Sequence, residues 1–234
     1  MSKKSDRTSK TVEVGSGKIA EVADPFNREY GGESFDLPEE VQSLPIFQDW
    51  VSGALAQKKS SNFWEAERPK KNWNCLDIGC GVSFLIYPWW EWNAFFYGQE
   101  ISSVAKDALD SRAPQLNSKL YKGVNLCPAH RLNYEENFFD LAIATGFSCY
   151  YDLDYWCDVL GQVKKVLKPD SWFVFDVVNP DSKLAEDWEI LESYLGTEVF
   201  LEAIADWEKM IKATGVKKMS RQEGELFDLY KVRW

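Results

Sequence analysis

The run Asn74-Cys75-Leu76-Asp77-Ile78-Gly79-Cys80-Gly81-Val82-Ser83 constrains this chain more than any other stretch. A short apolar segment ends in an acid, and two glycines follow at alternate positions. A segment able to form a helix comes next. Glycine lets a backbone turn tightly and lets another group approach it closely. Open α/β sheets bind ligands in the crevice at the carboxyl ends of their strands. The junction therefore predicts an α/β fold with a nucleotide-like ligand at a strand tip. The dinucleotide pattern would need a third glycine three residues after Gly81, and Phe84 stands there.

A second acid supports this reading. Ala94-Phe95-Phe96-Tyr97-Gly98-Gln99-Glu100 is an apolar, aromatic run that ends in a carboxylate. It lies about twenty residues beyond the glycines, the offset at which an acid on the next strand meets ribose hydroxyls.

Beyond this point strand-like and helix-like segments alternate, which predicts a mostly parallel sheet with helices on both faces. Expected strands lie at about 73–78, 94–100, 119–125, 138–144 and 171–177. Expected helices lie at about 82–92, 102–112, 153–167 and 197–213. In the third of these helices Tyr155, Trp156, Val159, Leu160, Val163 and Leu167 recur at helical spacing. Two late strand-like runs, about 215–221 and 225–233, predict an antiparallel hairpin. Before the glycines, residues 1–20 read as a mobile tail rich in Lys, Ser and Thr. Residues 21–70 read as a helical cap, with helix starts at Pro38-Glu39-Glu40 and Pro45. Residues 71–234 then form the ligand-binding domain. Trp89, Trp90 and Trp92 are expected to pack in the core around Pro88.

Three motifs in this order resemble the class I S-adenosylmethionine-dependent methyltransferases. Asp77-x-Gly79-x-Gly81-x-Ser83 resembles the family's Asp-x-Gly-x-Gly-x-Gly signature, with serine at the third glycine. Phe139-Asp140-Leu141 resembles its Phe-Asp-Leu strand, and Leu167-Lys168-Pro169 its Leu-Lys-Pro-Gly turn. Asp170 replaces that glycine, and Asp is among the residues that enter the left-handed region. The resemblance spans about residues 70–234. It implies a three-layer sandwich around a seven-stranded sheet, mostly parallel, with an antiparallel C-terminal hairpin.

The resemblance also implies S-adenosylmethionine as cofactor and S-adenosylhomocysteine as product. Asp77, Gly79, Cys80 and Gly81 would form the cofactor loop, with Glu100 on the ribose and Ile101 on the adenine face. Ala129 and His130 would border adenine, and Thr145 and Gly146 would face the methionine part. Tyr150 and Tyr151 are candidates to line an acceptor pocket, or else to pack under the next helix. His130 is a candidate base, since its unperturbed pKa lies near neutrality. Asn179 and Asp181 could bind an acceptor or could simply form a turn. Methyl transfer from a sulfonium needs positioning more than acid–base chemistry, so no fixed catalytic set is expected.

Composition narrows the partners. Among 234 residues the net charge is −10 and the pI is near 4.8, which opposes a phosphate backbone as substrate. The five cysteines include no Cys-x-x-Cys pair and the chain has one histidine, so no metal site is expected. An odd cysteine count suggests reduced thiols, and no long apolar run suggests a membrane span. The expectation is a cytoplasmic enzyme acting on a small-molecule acceptor, with no nucleic-acid or membrane partner. A protein methyltransferase, and a non-catalytic scaffold that keeps the cofactor fold, remain as alternatives. A nicotinamide-dependent dehydrogenase is disfavoured by Phe84 and by the lack of a Tyr-x-x-x-Lys pair.

Overall fold

A computed structural model describes residues 16–55, 63 and 66–234. Among the described residues three helices come first: α1 (Ser16–Tyr30), α2 (Glu39–Gln42) and α3 (Pro45–Val51). The strands are β1 (Asn74–Ile78), β2 (Phe95–Glu100), β3 (Tyr121–Leu126), β4 (Phe139–Ala144), β5 (Leu167–Val178), β6 (Lys218–Gln222) and β7 (Phe227–Arg233). The later helices are α4 (Ser103–Asn117), α5 (Leu153–Val166), α6 (Ala185–Leu195) and α7 (Ile204–Ala213).

One seven-stranded sheet runs in the order β3-β2-β1-β4-β5-β7-β6. Strands β1 to β5 pair in parallel, and β7 pairs antiparallel with both β5 and β6. Leu141, Ala142, Ile143 and Ala144 of the central β4 are all buried, as expected for a strand covered on both faces. Helix caps fall where side chains allow them. Ser102 Oγ accepts from Ala105 N at 3.0 Å, and Asp152 Oδ1 accepts from Tyr155 N at 2.9 Å. The stripe Tyr155, Trp156, Val159, Leu160, Val163 and Val166 is buried against the sheet. Asp170 adopts φ of 62°, the left-handed turn its place after Pro169 required.

Four parts of the chain differ from the sequence expectation. Residues 82–92 do not form an α-helix; two 3-10 turns, Ser83–Leu85 and Trp89–Glu91, stand there instead. Pro88 removes a donor in mid-segment, and the dense aromatics cannot all face the sheet from one helical stripe. They form a wedge in which Phe84 and Trp89 pack on Phe96 and Tyr121, and Trp89 Nε1 donates to Phe84 O at 2.7 Å. The core role expected for Trp89 is thus met. Helix α1 begins at Ser16, inside the stretch expected to be a tail; residues 1–15 lie outside the described residues. Residues 185–195, to which the sequence reading assigned no element, are helical and end on Gly196 in the left-handed conformation. The last helix is correspondingly shorter than 197–213, starting at Ile204. Asn179 serves a turn, accepting from Asp181 N through Oδ1 at 3.0 Å.

Candidate functional site

The parallel strands point their carboxyl ends at two adjoining cavities. The smaller, of about 520 Å³, lies over the tips of β2 and β4. The larger, of about 1070 Å³, lies over the loop after β1. They share Phe26, Tyr30, Gly79, Thr145, Gly146 and Tyr150, so the two form one trough.

The floor is built from the loop after β1. Gly79 and Gly81 have φ of 63° and 47°, which L side chains rarely adopt. Gly79 N donates to Gln99 Oε1 at 3.0 Å, and Gln99 Nε2 donates in turn to Cys127 O. Gln99 thus ties the loop to the end of β3. Gly81 N donates to Glu100 Oε2 at 2.6 Å. Ile101 N and Ser102 N donate to Glu100 Oε1 at 2.7 and 2.9 Å. Burial pushes the Glu100 carboxyl above its ordinary pKa, and the three amides pull against that shift. A carboxylate offers about four acceptor positions, so about one stays open, rather than room for both ribose hydroxyls.

Asp77 is almost wholly buried and faces the larger cavity. Its Oδ2 accepts from Ser83 Oγ at 2.6 Å and from the Tyr87 hydroxyl at 3.1 Å. Serine at the third glycine of the signature is therefore a hydrogen-bond donor to the signature's own acid. The other oxygen, Oδ1, is buried with no partner. Burial raises the Asp77 pKa to about 7, against the two hydroxyl donors, with Glu100 adding a smaller push upward. A buried acceptor without a donor is costly, and Asp77 is among the residues that line the larger cavity.

The roof comes from distant helices. Phe26 of α1 sets its ring edge-on to Tyr150 at 5.1 Å. A side chain on Gly79 would come within 2.6 Å of the Phe147 ring, and one on Gly81 would meet the Tyr30 hydroxyl. The close approach the glycines permit is thus already used by two aromatic side chains. Helix α6 brings Trp188 and Glu192 to the larger cavity, and α3 brings Trp50. Burial keeps the Tyr30, Tyr87 and Tyr150 phenols and the Cys80 thiol protonated.

Most residues singled out from sequence meet at this trough. Asp77, Cys80 and Gly81 line the larger cavity; Glu100, Ile101, Ala129 and Tyr151 line the smaller; Gly79, Thr145, Gly146 and Tyr150 line both. His130 does not line either cavity, which corrects its candidacy as a base at the site. It sits on the turn Ala129–Arg131, its ring edge-on to Tyr155 at 5.0 Å. Burial, helped by Arg131, lowers its pKa. Sequence reasoning missed Gln99, which its place as a polar residue beside Glu100 could have signalled. It also missed Phe26, Glu29, Tyr30, Trp50, Trp188 and Glu192, whose segments carry no motif.

Comparison with known proteins agrees with this geometry. Residues 76–175 match the family model described as a methyltransferase domain. A search of curated proteins by sequence found no match. Among solved structures, geranyl diphosphate C-methyltransferase from Streptomyces coelicolor A3(2) superposes with a TM-score of 0.64 at 11% identity. That match covers 94% of this chain and 98% of the other. A methyltransferase from Thermotoga maritima, described as a possible histamine N-methyltransferase, gives 0.61 at 13% identity, covering 91% and 99%. Phosphoethanolamine N-methyltransferase 2 from Haemonchus contortus gives 0.60 at 13% identity, covering 74% of this chain and 51% of that one. Residues 76–175 are thus similar to a methyltransferase domain. The chain shares the fold of these solved methyltransferases.

Proposed function

We propose that the protein transfers a methyl group from S-adenosylmethionine to a small-molecule acceptor held in the larger cavity. The observation that carries this reading is the trough itself: one continuous space runs from Glu100 and Ala129, past Gly79, to Trp50 and Glu192. The residues fit the cofactor chemically. The partnerless Asp77 Oδ1 suits an ammonium, Glu100 has room for a ribose hydroxyl, and aromatic faces suit a sulfonium. When bound, the cofactor supplies a methyl group already activated as an electrophile.

The chain's own part is to orient and to exclude water. Glu100 would hold the ribose, and Ile101 and Ala129 would flank the adenine. Thr145 and Gly146 would border the methionine part, with Gly146 N fixed by Asp176 Oδ1 at 2.8 Å. Phe26, Tyr30 and Tyr150 would close the trough and align the acceptor, a contribution that can lower a barrier substantially. A small acceptor is supported by this enclosure and by the net charge of −10. It is supported also by the ligands of similar folds, geranyl diphosphate and phosphomonomethylethanolamine. No helix among the described residues is long and apolar enough to cross a membrane, in keeping with a cytoplasmic site of action.

Isothermal titration with S-adenosylmethionine and, separately, S-adenosylhomocysteine tests the proposal. Binding in about the micromolar range is expected for both. A folded sample that binds neither would overturn it.

A further inference from the structure

The two oxygens of the Asp77 carboxyl are held unequally. Its Oδ2 accepts from two hydroxyls, Ser83 Oγ at 2.6 Å and the Tyr87 phenol at 3.1 Å. Its Oδ1 is buried with no partner. Both hydroxyls come from one turn, in which Tyr87 N donates to Ser83 O at 3.2 Å. Ser83 N donates to Cys80 O at 2.8 Å, which ties that turn to the glycine loop. The Tyr87 ring is buried, stacked on Trp92 at 6.0 Å and tilted against Phe84 at 5.7 Å. The phenol is therefore placed by the aromatic wedge and the serine by the loop.

Folding alone does not account for this arrangement. An unmet buried acceptor destabilises a fold, yet two hydroxyls are committed to keeping its sister oxygen in place. Burial lifts the carboxyl pKa to about 7, the two hydroxyl donors pull it back towards the ionised form, and Glu100 on β2 pushes it up again. Ser83 and Tyr87 thus favour a carboxylate held in one orientation, with one oxygen left for a donor that the fold does not supply. A binding group locked in this way by its neighbours is already organised for its ligand.

We propose that Ser83 and Tyr87 are positioning residues of the cofactor site, which hold Asp77 Oδ2 so that Oδ1 is set to receive the ammonium of the cofactor's methionine part. The proposal rests on the methyltransferase reading and gives that site two further residues. Serine at the signature's third glycine is then more than a small residue that fits the turn, and the wedge after the loop does more than fill the core.

The test is calorimetric titration of the full chain with S-adenosylhomocysteine and with 5′-methylthioadenosine, which keeps the adenosine and the sulfur but has no amino-acid portion. Ser83→Ala and Tyr87→Phe are each expected to weaken S-adenosylhomocysteine about five- to tenfold, while methylthioadenosine stays within about twofold of the wild-type protein. Ser83→Thr, which keeps the hydroxyl, is expected to stay within about twofold for both ligands. In an Asp77→Asn background, adding Ser83→Ala is expected to weaken S-adenosylhomocysteine by less than about twofold more. Equal loss of both ligands would make the two residues merely structural and overturn the proposal. Unchanged affinity in Ser83→Ala and Tyr87→Phe, a Ser83→Thr protein as weak as Ser83→Ala, or the full loss on top of Asp77→Asn would each overturn it too. If methylthioadenosine binds the wild-type protein too weakly to titrate, the Asp77→Asn comparison decides. Should Ser83→Ala not fold by circular dichroism, Ser83→Gly replaces it with the same expectations. Failure of S-adenosylhomocysteine to bind the wild-type protein would instead overturn the methyltransferase reading on which this rests.

Discussion

The floor and the roof of the trough are built by different physics. The floor is backbone: Gly79, Gly81, Ile101 and Ser102 offer amides at the tips of adjacent parallel strands, and Gln99 and Glu100 collect them. The roof is side chain: Phe26, Tyr30, Trp50, Trp188 and Glu192 arrive from α1, α3 and α6. A floor of amides held within one sheet has little freedom to change, whereas a roof of aromatic side chains can be re-cut by substitution. On the proposed function, cofactor recognition would belong to the floor and acceptor recognition to the roof.

The comparison can be broken at several points. The largest effect is expected beneath the floor. Trp89→Ala removes a fully buried ring from the wedge under Gly98 and the β1 loop, and should cost about 3–5 kcal/mol of stability in a denaturant melt. A loss of only a few tenths would show that the wedge does not support the sheet. Next comes Gly79→Val. Left-handed strain of about 1–2 kcal/mol and collision with Phe147 should lower affinity for S-adenosylhomocysteine on the order of a hundredfold in calorimetry. Normal affinity would remove this loop from the site.

Glu100→Ala should weaken cofactor binding by roughly 1–3 kcal/mol, and should also lower the melting temperature because three amides lose their acceptor. A folded variant with unchanged affinity would take Glu100 out of the ribose role. Asp77 predicts a pH dependence. Its folded pKa, about 7, lies above the ordinary value of 3.8. On that account the free protein loses stability as pH rises from 3.8 towards 7, and no further beyond. A cationic cofactor favours the ionised form, so affinity should tighten up to about tenfold between pH 6 and 8. Asp77→Asn should flatten both trends; a mutant that keeps the slope would assign it to another group.

The smallest effect sharpens the division. Phe26→Ala on the roof should cost about 0.5–1.5 kcal/mol through the lost Tyr150 contact, and should leave S-adenosylhomocysteine affinity nearly unchanged. If it abolished binding as thoroughly as Gly79→Val, floor and roof would be one unit.

The floor was legible in the sequence because short-range rules govern it. Asp77, Gly79, Gly81 and Glu100 sit at fixed offsets, and a parallel sheet places such residues side by side whatever surrounds them. Strands β1, β2 and β4 and helix α5 followed from apolar runs and helical spacing for the same reason. Residues 82–92 misled because helical spacing counts apolar positions and not their bulk; Phe84, Tyr87 and Trp89 each needed a separate place against Phe96, Tyr121 or Asp77. Residues 185–195 were overlooked because they follow a turn-rich stretch and carry no signature.

By itself the sequence determined the sheet, its glycine loop and the two acids that line the trough, since hydrogen-bond geometry and glycine's conformational range act over a few residues. Only the tertiary structure decided that Ser83 and Tyr87 hold Asp77, and that Glu100 is largely consumed by amides. It alone brought Glu29 and Glu192, from opposite ends of the chain, to one aromatic cavity. Contacts between segments more than a hundred and fifty residues apart depend on how helices pack over the finished sheet, and no local spacing records that.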